Sequence, residues 1–279
     1  MKKFPLSLVL ITLNADRILS QVLESCAFAD EIIIVDSGSN DATEKIAKQY
    51  QAKFLFQQWL GFGKQKNFAI NQAKNDWVLC LDADEIISEE LQKNIVSYLE
   101  NNIFNKTNFN DEVVGINLVR CNNFLGKFLK HGEGYPDICL RLFNKNFMCW
   151  SDDEVHEKVI FINNESNKKI ITLHGDLLHY SVDSLEKYIS KQNRYTTLSA
   201  QQLFNDYLQK NKLPSTLKIF AKFTISPLIR FIKFYILKRG FLDGLPGFIH
   251  IAIGCLTAFM KYIKLYELIL NKNNKDKNK

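Results

Sequence analysis

The sequence predicts an α/β fold, with a largely parallel sheet of βαβ units, then less regular strands, then a helical, basic carboxyl-terminal extension. Three observations carry this expectation. Over the first 80 residues, short apolar runs rich in β-branched side chains alternate with stretches of helical spacing, the pattern of strands joined by crossover helices. From about residue 115 the apolar runs are separated by Gly, Asn and Asp. From Ser184 onward Leu185, Tyr188, Ile189, Gln192, Tyr195 and Leu198 fall at three- and four-residue intervals, the period of one helix face. The boundaries implied are 1–110, 111–183 and 184–279. With 279 residues and 46% hydrophobic content, the chain can bury a large core, which excludes disorder for most of it.

Two lysines precede the first apolar run, but the run ends at Leu13 and no small-residue cleavage site follows, so it reads as a strand rather than a secretory signal. Strands are expected at 6–13, 31–36, 52–56 and 77–81, with helices at 18–27, 42–50 and 67–74. Later strands fall at 113–120, 138–143 and 159–162. Six cysteines are scattered singly with no C-x-x-C pair, which fits a reducing compartment. Residues 210–279 hold 14 Lys and Arg against three Asp and Glu, a net charge of +11 that leaves −5 on the rest. Such a division suggests a surface that meets anionic lipid or nucleic acid. No nucleic-acid-binding motif accompanies it. The last eight residues read as a solvated tail.

In a parallel sheet the ligand crevice lies beyond the carboxyl ends of the strands. The polar residues there are Asn14 and Asp16, the segment Asp36-Ser37-Gly38-Ser39-Asn40-Asp41-Ala42-Thr43, and Asp82-Ala83-Asp84-Glu85. Asp82 and Asp84 follow a buried-looking strand and offer the oxygens a hard divalent cation takes, the remaining positions being filled by substrate phosphates. Asp36 can take hydrogen bonds from a base or ribose, whereas Asp41 reads as a helix cap. Lys64, Lys66 and Arg141 are expected either as diphosphate clamps, Arg141 foremost for its forked guanidinium, or as ordinary surface charges. A nucleotidyltransferase would share the acidic strand ends, but the first strand leads into Leu13-Asn14 and not into a Gly-rich basic loop.

The ordered set of Leu10-Ile11-Thr12-Leu13-Asn14, the Asp36 segment, Gly61-Phe62-Gly63-Lys64-Gln65-Lys66-Asn67 and Trp77 to Glu85 resembles family 2 glycosyltransferases. Tyr135-Pro136-Asp137 with Arg141, Val155-His156-Glu157, and His179-Tyr180-Ser181 leading to Asn193-Arg194-Tyr195 are similar to the lipopolysaccharide core glucosyltransferases of the WaaE/KdtX type. The resemblance runs from about residue 5 to 265. It implies a GT-A fold whose first 110 residues bind a nucleotide sugar through Asn14, Asp36, Lys66, Asp82 and Arg141, and whose residues 111–183 bind the acceptor. It implies a divalent metal, Mg or Mn, on Asp82, Asp84 and His179; His179 is equally readable as a core histidine. It implies inverting transfer of a hexose, glucose foremost, from a nucleotide-diphosphate sugar to a lipid-linked glycan such as lipopolysaccharide core. The base belongs among Asp152, Asp153, Glu154 and Glu157, with Glu157 first and Asp153 second. His156 either orients the base or packs. If residues 155–159 form a strand, Glu157 shares a face with Val155 and Val159, an apolar setting.

Residues 220–237 interleave Phe, Ile and Leu with Lys222, Arg230 and Lys233, as an interfacial helix does. Residues 244–260 lack formal charge but contain Pro246, Gly247, His250 and Gly254. Seventeen residues so interrupted fall short of the roughly 20 that span a bilayer. Peripheral attachment to the cytoplasmic face of the inner membrane is therefore expected; the alternative is a helical hairpin packed on the catalytic domain.

Overall fold

The computed structural model describes residues 2–104, 113–153, 157–163, 167–180, 184–210 and 212–277. The chain divides into two compact units, residues 1–121 with 136–179, and residues 122–135 with 180–279.

In the first unit β1 (Phe4–Thr12), α1 (Leu19–Ser25), β2 (Ala29–Asp36), α2 (Thr43–Gln49), β3 (Lys53–Phe56), α3 (Phe62–Asn71) and β4 (Trp77–Asp82) alternate as the apolar periodicity requires. There follow β5 (Glu85–Ile87), α4 (Glu89–Tyr98), β6 (Val113–Phe124), whose last residues and the short β7 (Lys127–Phe128) belong to the second unit, then β8 (Asp137–Asn144), β9 (Met148–Trp150), β10 (Val159–Phe161) and β11 (Lys169–His179). The main sheet runs β3-β2-β1-β4-β8-β6-β11-β5. Its first four strands are parallel. The β4–β8, β8–β6 and β11–β5 pairs are antiparallel.

Side chains alternate across the pleat, so Leu6, Leu8, Leu10, Leu79 and Leu81 enter one apolar cluster with Leu19, Leu91 and Ile95. Val9, Val78 and Cys80 enter another with Ala69, Phe143 and Trp150. Burial on both faces is why the first strands are continuous apolar runs. It also leaves the strand ends as the place for polar groups. Register puts these ends level: Thr12 pairs with Asp36, Ile11 with Asp82 and Asp36 with Phe56.

Three differences from the sequence expectation bear on the site. Helix α3 begins at Phe62, five residues before the expected start, and so includes Gly63 and Lys66. Strand β10 begins at Val159, leaving Glu157 in the segment that leads into it. Glu154, Val155 and His156 lie outside the described residues, so Glu157 is placed by tertiary contacts and not by a strand face.

In the second unit β7 pairs with Asn123 and Phe124 at the end of β6. Three long helices follow, α5 (Leu185–Gln209), α6 (Thr216–Phe231) and α7 (Gly244–Lys277), with a π-helical segment at 232–237 and a 3-10 turn at 240–243 between the last two. Ala200, Ile219, Leu265 and Ile269 form the centre of their core. Pro246, Gly247, His250 and Gly254 do not interrupt α7, correcting the sequence reading. Pro246 lies in the first turn, where the missing N–H costs nothing. A Cβ on Gly254 would lie 2.5 Å from Glu133 Oε2, so this glycine admits the ion pair between Glu133 and Arg230. Helix α7 therefore runs about 50 Å at 1.5 Å per residue, and residues 240–274 are long and apolar enough to cross a membrane.

Candidate active site

The loops after β1 and β2 are stitched into one rim. Asn14, held at φ 52°, donates its N–H to Ser39 Oγ at 2.7 Å and accepts from Asn40 N–H at 2.9 Å. Ala15 N–H donates to Thr43 Oγ1 and Asp16 N–H to Asp41 Oδ2. Asp41 also accepts from Thr43 N–H at 3.0 Å, at the first residue of α2. Asp36 lies buried within this rim and accepts from Thr12 Oγ1, Gly38 N–H, Ser39 N–H and Ser39 Oγ. Burial pushes its carboxyl up, and these bonds outweigh it, holding the group below the usual carboxylate range. Four bonds fill a carboxylate's acceptor sites, so Asp36 organises the rim from within.

At the end of β4, Asp82 faces two cations. Its Oδ1 is 3.0 Å from Lys66 Nζ and its Oδ2 is 2.7 Å from Arg141 Nη2. Burial raises the Asp82 carboxyl, but the charges of Arg141 and Lys66 prevail and hold it far below the ordinary value. Burial alone would lower Arg141 and Lys66, and the carboxylates beside them raise both. Lys66 and Arg141 are buried, so neither is an ordinary surface charge. Lys64, one residue before Gln65 on α3, is exposed.

Lys66 reaches further. Its Nζ lies 3.3 Å from Glu157 Oε1 and 4.2 Å from the centre of the Trp150 ring. One ammonium thus joins a strand-end carboxylate to the foremost base candidate, 91 residues away in sequence. Glu157 is 19% exposed, and its neighbour is a cation in place of the apolar setting expected. Asp153 is exposed and accepts from Ser151 Oγ at 2.8 Å. Asp152 is exposed as well.

The Gly61 to Asn67 motif explains how α3 meets the β9–β10 hairpin. Asn67 grips the backbone of Trp150 twice, donating Nδ2 to its carbonyl at 2.8 Å and accepting its N–H at 2.9 Å. Gly63 has no room for a side chain, since a Cβ there would stand 2.0 Å from the Ser151 carbonyl oxygen and 3.7 Å from Glu157 Cβ. Gln65 is buried and donates to Ser37 Oγ and the Gln57 carbonyl, tying the same helix to the loop after β2.

Asp84 and His179 face each other, Nε2 to Oδ1 at 3.4 Å, with Asp84 37% exposed. Strand pairing of His179 with Glu85 sets this approach. Of the three expected ligands, Asp84 and His179 face each other, while Asp82 gives one oxygen to Lys66 and the other to Arg141. Among the described residues no group of three or more His, Cys, Asp or Glu gathers as a metal site. Asp84 and His179 still supply an oxygen and an imidazole, donors that fit Mg or Mn completed by phosphate oxygens.

Sequence reasoning missed Glu85. It is fully buried, accepts from Arg141 Nη2 at 2.6 Å, and pairs with Arg120, whose other nitrogen meets Asp137 at 2.8 Å. Its one visible signal was position: an acid directly ahead of Ile86-Ile87 must enter the strand that those residues form. Trp150 and Asn67 were equally unremarked as partners, because their contact spans 83 residues.

A parallel sheet whose strand ends carry carboxylates over buried cations is the arrangement of an α/β enzyme that takes its ligand beyond those ends. The comparisons are narrower. The profile of Glycosyl transferase family 2 matches residues 7–139. An uncharacterized glycosyltransferase of Rickettsia typhi is 32% identical, over 98% of this chain and 90% of that one. The lipopolysaccharide core biosynthesis glycosyltransferase LpsC of Rhizobium meliloti is 28% identical, over 95% and 93%. The chain accordingly belongs to glycosyl transferase family 2 and is a glycosyltransferase of the GT-A fold. Among solved structures, glucosyl-3-phosphoglycerate synthase from Mycobacterium tuberculosis, in complex with Mn2+, UDP and glucosyl-3-phosphoglycerate, is 21% identical over 42% of this chain and 44% of that one, with a TM-score of 0.33.

Proposed function

We propose that this glycosyltransferase is an inverting hexosyltransferase. It takes its sugar, glucose foremost, from a nucleotide-diphosphate donor and gives it to a lipopolysaccharide-core or related lipid-linked glycan at the cytoplasmic face of the membrane. The observation that carries the reading is the ammonium of Lys66, shared between Asp82 and Glu157. It sets a base candidate beside the strand end where the donor diphosphate would lie. The relation to LpsC over nearly the whole chain supports the acceptor class.

In this reading Glu157 takes the proton of the acceptor hydroxyl as that oxygen bonds to the anomeric carbon. The bond from that carbon to the diphosphate oxygen breaks, and its electron pair leaves with the nucleotide diphosphate. Attack opposite the departing group inverts the centre. Asn14 and the rim that Asp36 organises receive the nucleotide. Arg141 and Lys66 sit beneath the diphosphate, their charges facing the strand end through Asp82. Asp84 and His179 would hold Mg or Mn, which when bound neutralises charge on the leaving diphosphate.

The test is to incubate the purified protein with Mn2+ or Mg2+, a panel of nucleotide sugars and truncated lipopolysaccharide, recording which diphosphate is released and which anomer forms. Acceptor-dependent release with inversion is expected. A retained configuration, or release from no donor, would overturn the proposal.

A further inference from the structure

The second unit ends its α6 arm and begins its α7 arm in a turn whose two sides have opposite character. Its inner side is bolted down. Asp243 is buried and accepts from the backbone N–H of His131 at 2.8 Å, and its other oxygen lies 3.0 Å from His131 Nδ1. Gly132 donates its N–H to the Lys238 carbonyl at 2.9 Å. Arg239 turns the chain in the left-handed region at φ 54°. The next residue must be glycine, because a Cβ on Gly240 would stand 2.4 Å from Ile251 and 2.7 Å from the Phe234 carbonyl oxygen.

The outer side is apolar and uncovered within this unit. Ile232, Ile236, Leu237, Phe241, Leu242, Leu245 and Phe248 are all exposed, Leu237 at 73% and Leu245 at 68%. Tyr235 ties the two arms together, stacked on Phe231 at 4.9 Å and edge-on to Phe241 and Phe248 at 6.2 and 5.7 Å. Lys233, Lys238 and Arg239 of the same segment are exposed as well. A contiguous apolar patch of this kind marks an interaction site, and these basic residues select the partner. Cations beside exposed aliphatic and aromatic groups match an anionic bilayer, whose headgroups take the charges while the acyl region takes the side chains.

We infer that residues 232–248 form a preformed wedge that inserts into the surface of an anionic bilayer, and that α7 does not cross it. The inference rests on the peripheral-membrane part of the proposed function and names the element responsible. Helix α7 has the length to span, yet its charge-free stretch is followed by Lys261 and Lys264. Lys264 Nζ is bound to Asn193 and to the hydroxyls of Thr196 and Thr197 on α5. Farther along, Leu265 and Ile269 are buried in the helical core. Spanning would draw these partners into hydrocarbon at high cost, whereas the turn alone inserts with every buried contact intact.

The experiment is co-sedimentation of the full chain with vesicles of phosphatidylcholine alone or with one third phosphatidylglycerol. Three proteins are compared: wild type, the double variant L237E/L245E, and Leu217→Glu. Leu217 is 77% exposed but lies 20 residues before Leu237, outside the wedge. Wild type is expected to bind the anionic vesicles, less as salt rises. The double variant should lose about tenfold or more in partitioning, given the apolar area withdrawn from lipid, while Leu217→Glu keeps it. Since all three positions face solvent, melting temperatures should agree. Failure of wild type to bind overturns the membrane reading itself. Binding by wild type that L237E/L245E retains, or that Leu217→Glu loses equally, overturns the wedge. Nucleotide release on a lipid-free acceptor fragment reads catalysis separately from either result.

Discussion

Replacing Gly63 by alanine sets two opposed effects against each other. Gly63 is the second residue of α3, and in a helix interior alanine is favoured over glycine by about 1 kcal/mol. Yet the added methyl would stand 2.0 Å from the Ser151 carbonyl oxygen, where a carbon and an oxygen normally come no closer than about 3.3 Å. Helix and hairpin must part by about 1.3 Å. The obstacle is backbone and not the end of a flexible side chain, so relief cannot come from a rotamer change. Overpacking of this kind costs about 1–3 kcal/mol, and the backbone clash puts it at the upper end, leaving a net loss of about 1–2 kcal/mol. For a chain of this size that lowers the melting temperature by roughly 2–8 °C. The same displacement carries Glu157, whose Cβ lies 3.7 Å from the added methyl, away from Lys66. A misplacement near 1 Å in a reacting group costs about 10²-fold in rate. Differential scanning fluorimetry and donor-diphosphate release on the same preparation read the two effects. A variant with a raised melting temperature and unchanged turnover would show that propensity alone governs this position and that α3 does not position the hairpin.

Glu157→Gln should cut turnover by about 10²-fold or more with donor affinity nearly unchanged by calorimetry, while Asp153→Asn retains activity; the reverse pattern assigns the base to Asp153. Chelation with EDTA should abolish transfer and added Mn2+ restore it, and Asp84→Asn should weaken the metal's effect on nucleotide binding; full turnover in chelator removes the metal from the mechanism. Because Asp82 titrates below its ordinary value of 3.8 in the folded chain, its contribution to stability is complete above about pH 4 and is lost as pH falls below that. Urea melts from pH 5 to 2.5 should therefore show a steeper loss for wild type than for Asp82→Asn, and parallel curves would mean that the two cations do not hold the carboxylate down. Asn67→Ala removes both side-chain bonds to the Trp150 backbone and leaves a buried N–H and C=O unmet, so it should destabilise by about 1–3 kcal/mol, measured by urea midpoint at constant slope.

The parallel half of the sheet was legible because β1, β2 and β4 are buried on both faces, which writes an unbroken apolar run into the sequence. Helix α4 carries an equally local signature, since Ser88 caps it by accepting from Leu91 N–H, with Glu89 and Glu90 in the first turn. Helix α3 was read late because Gly61 and Gly63 look like breakers, although Gly63 answers to a neighbour 88 positions on. The strand-end residues were identifiable by the logic of parallel sheets. What each of them touches was not. Arg141 lies under Asp82 because Leu142 pairs with Leu79, and Glu157 meets Lys66 because a hairpin docks on a helix; neither relation leaves a local pattern. In α7, Gly247 and Gly254 read as interruptions, whereas both are sites of close approach, Gly247 to Asp243 and Gly254 to the Glu133–Arg230 pair.

The rim formed by Asn14, Ala15, Asp16 and residues 39–43 has a kinetic consequence. Each loop supplies hydrogen-bond partners to the other, so neither can swing away alone, and the buried Asp36 holds the turn between them from below. Under the proposed function, a donor arriving at this wall would find it already shaped and forfeit little entropy in ordering it. Association at this end of the crevice should then be a single concentration-dependent phase. Discrimination among nucleotides would follow from the same rigidity: a wall that cannot remould itself rejects a larger base by collision, not by a weaker embrace.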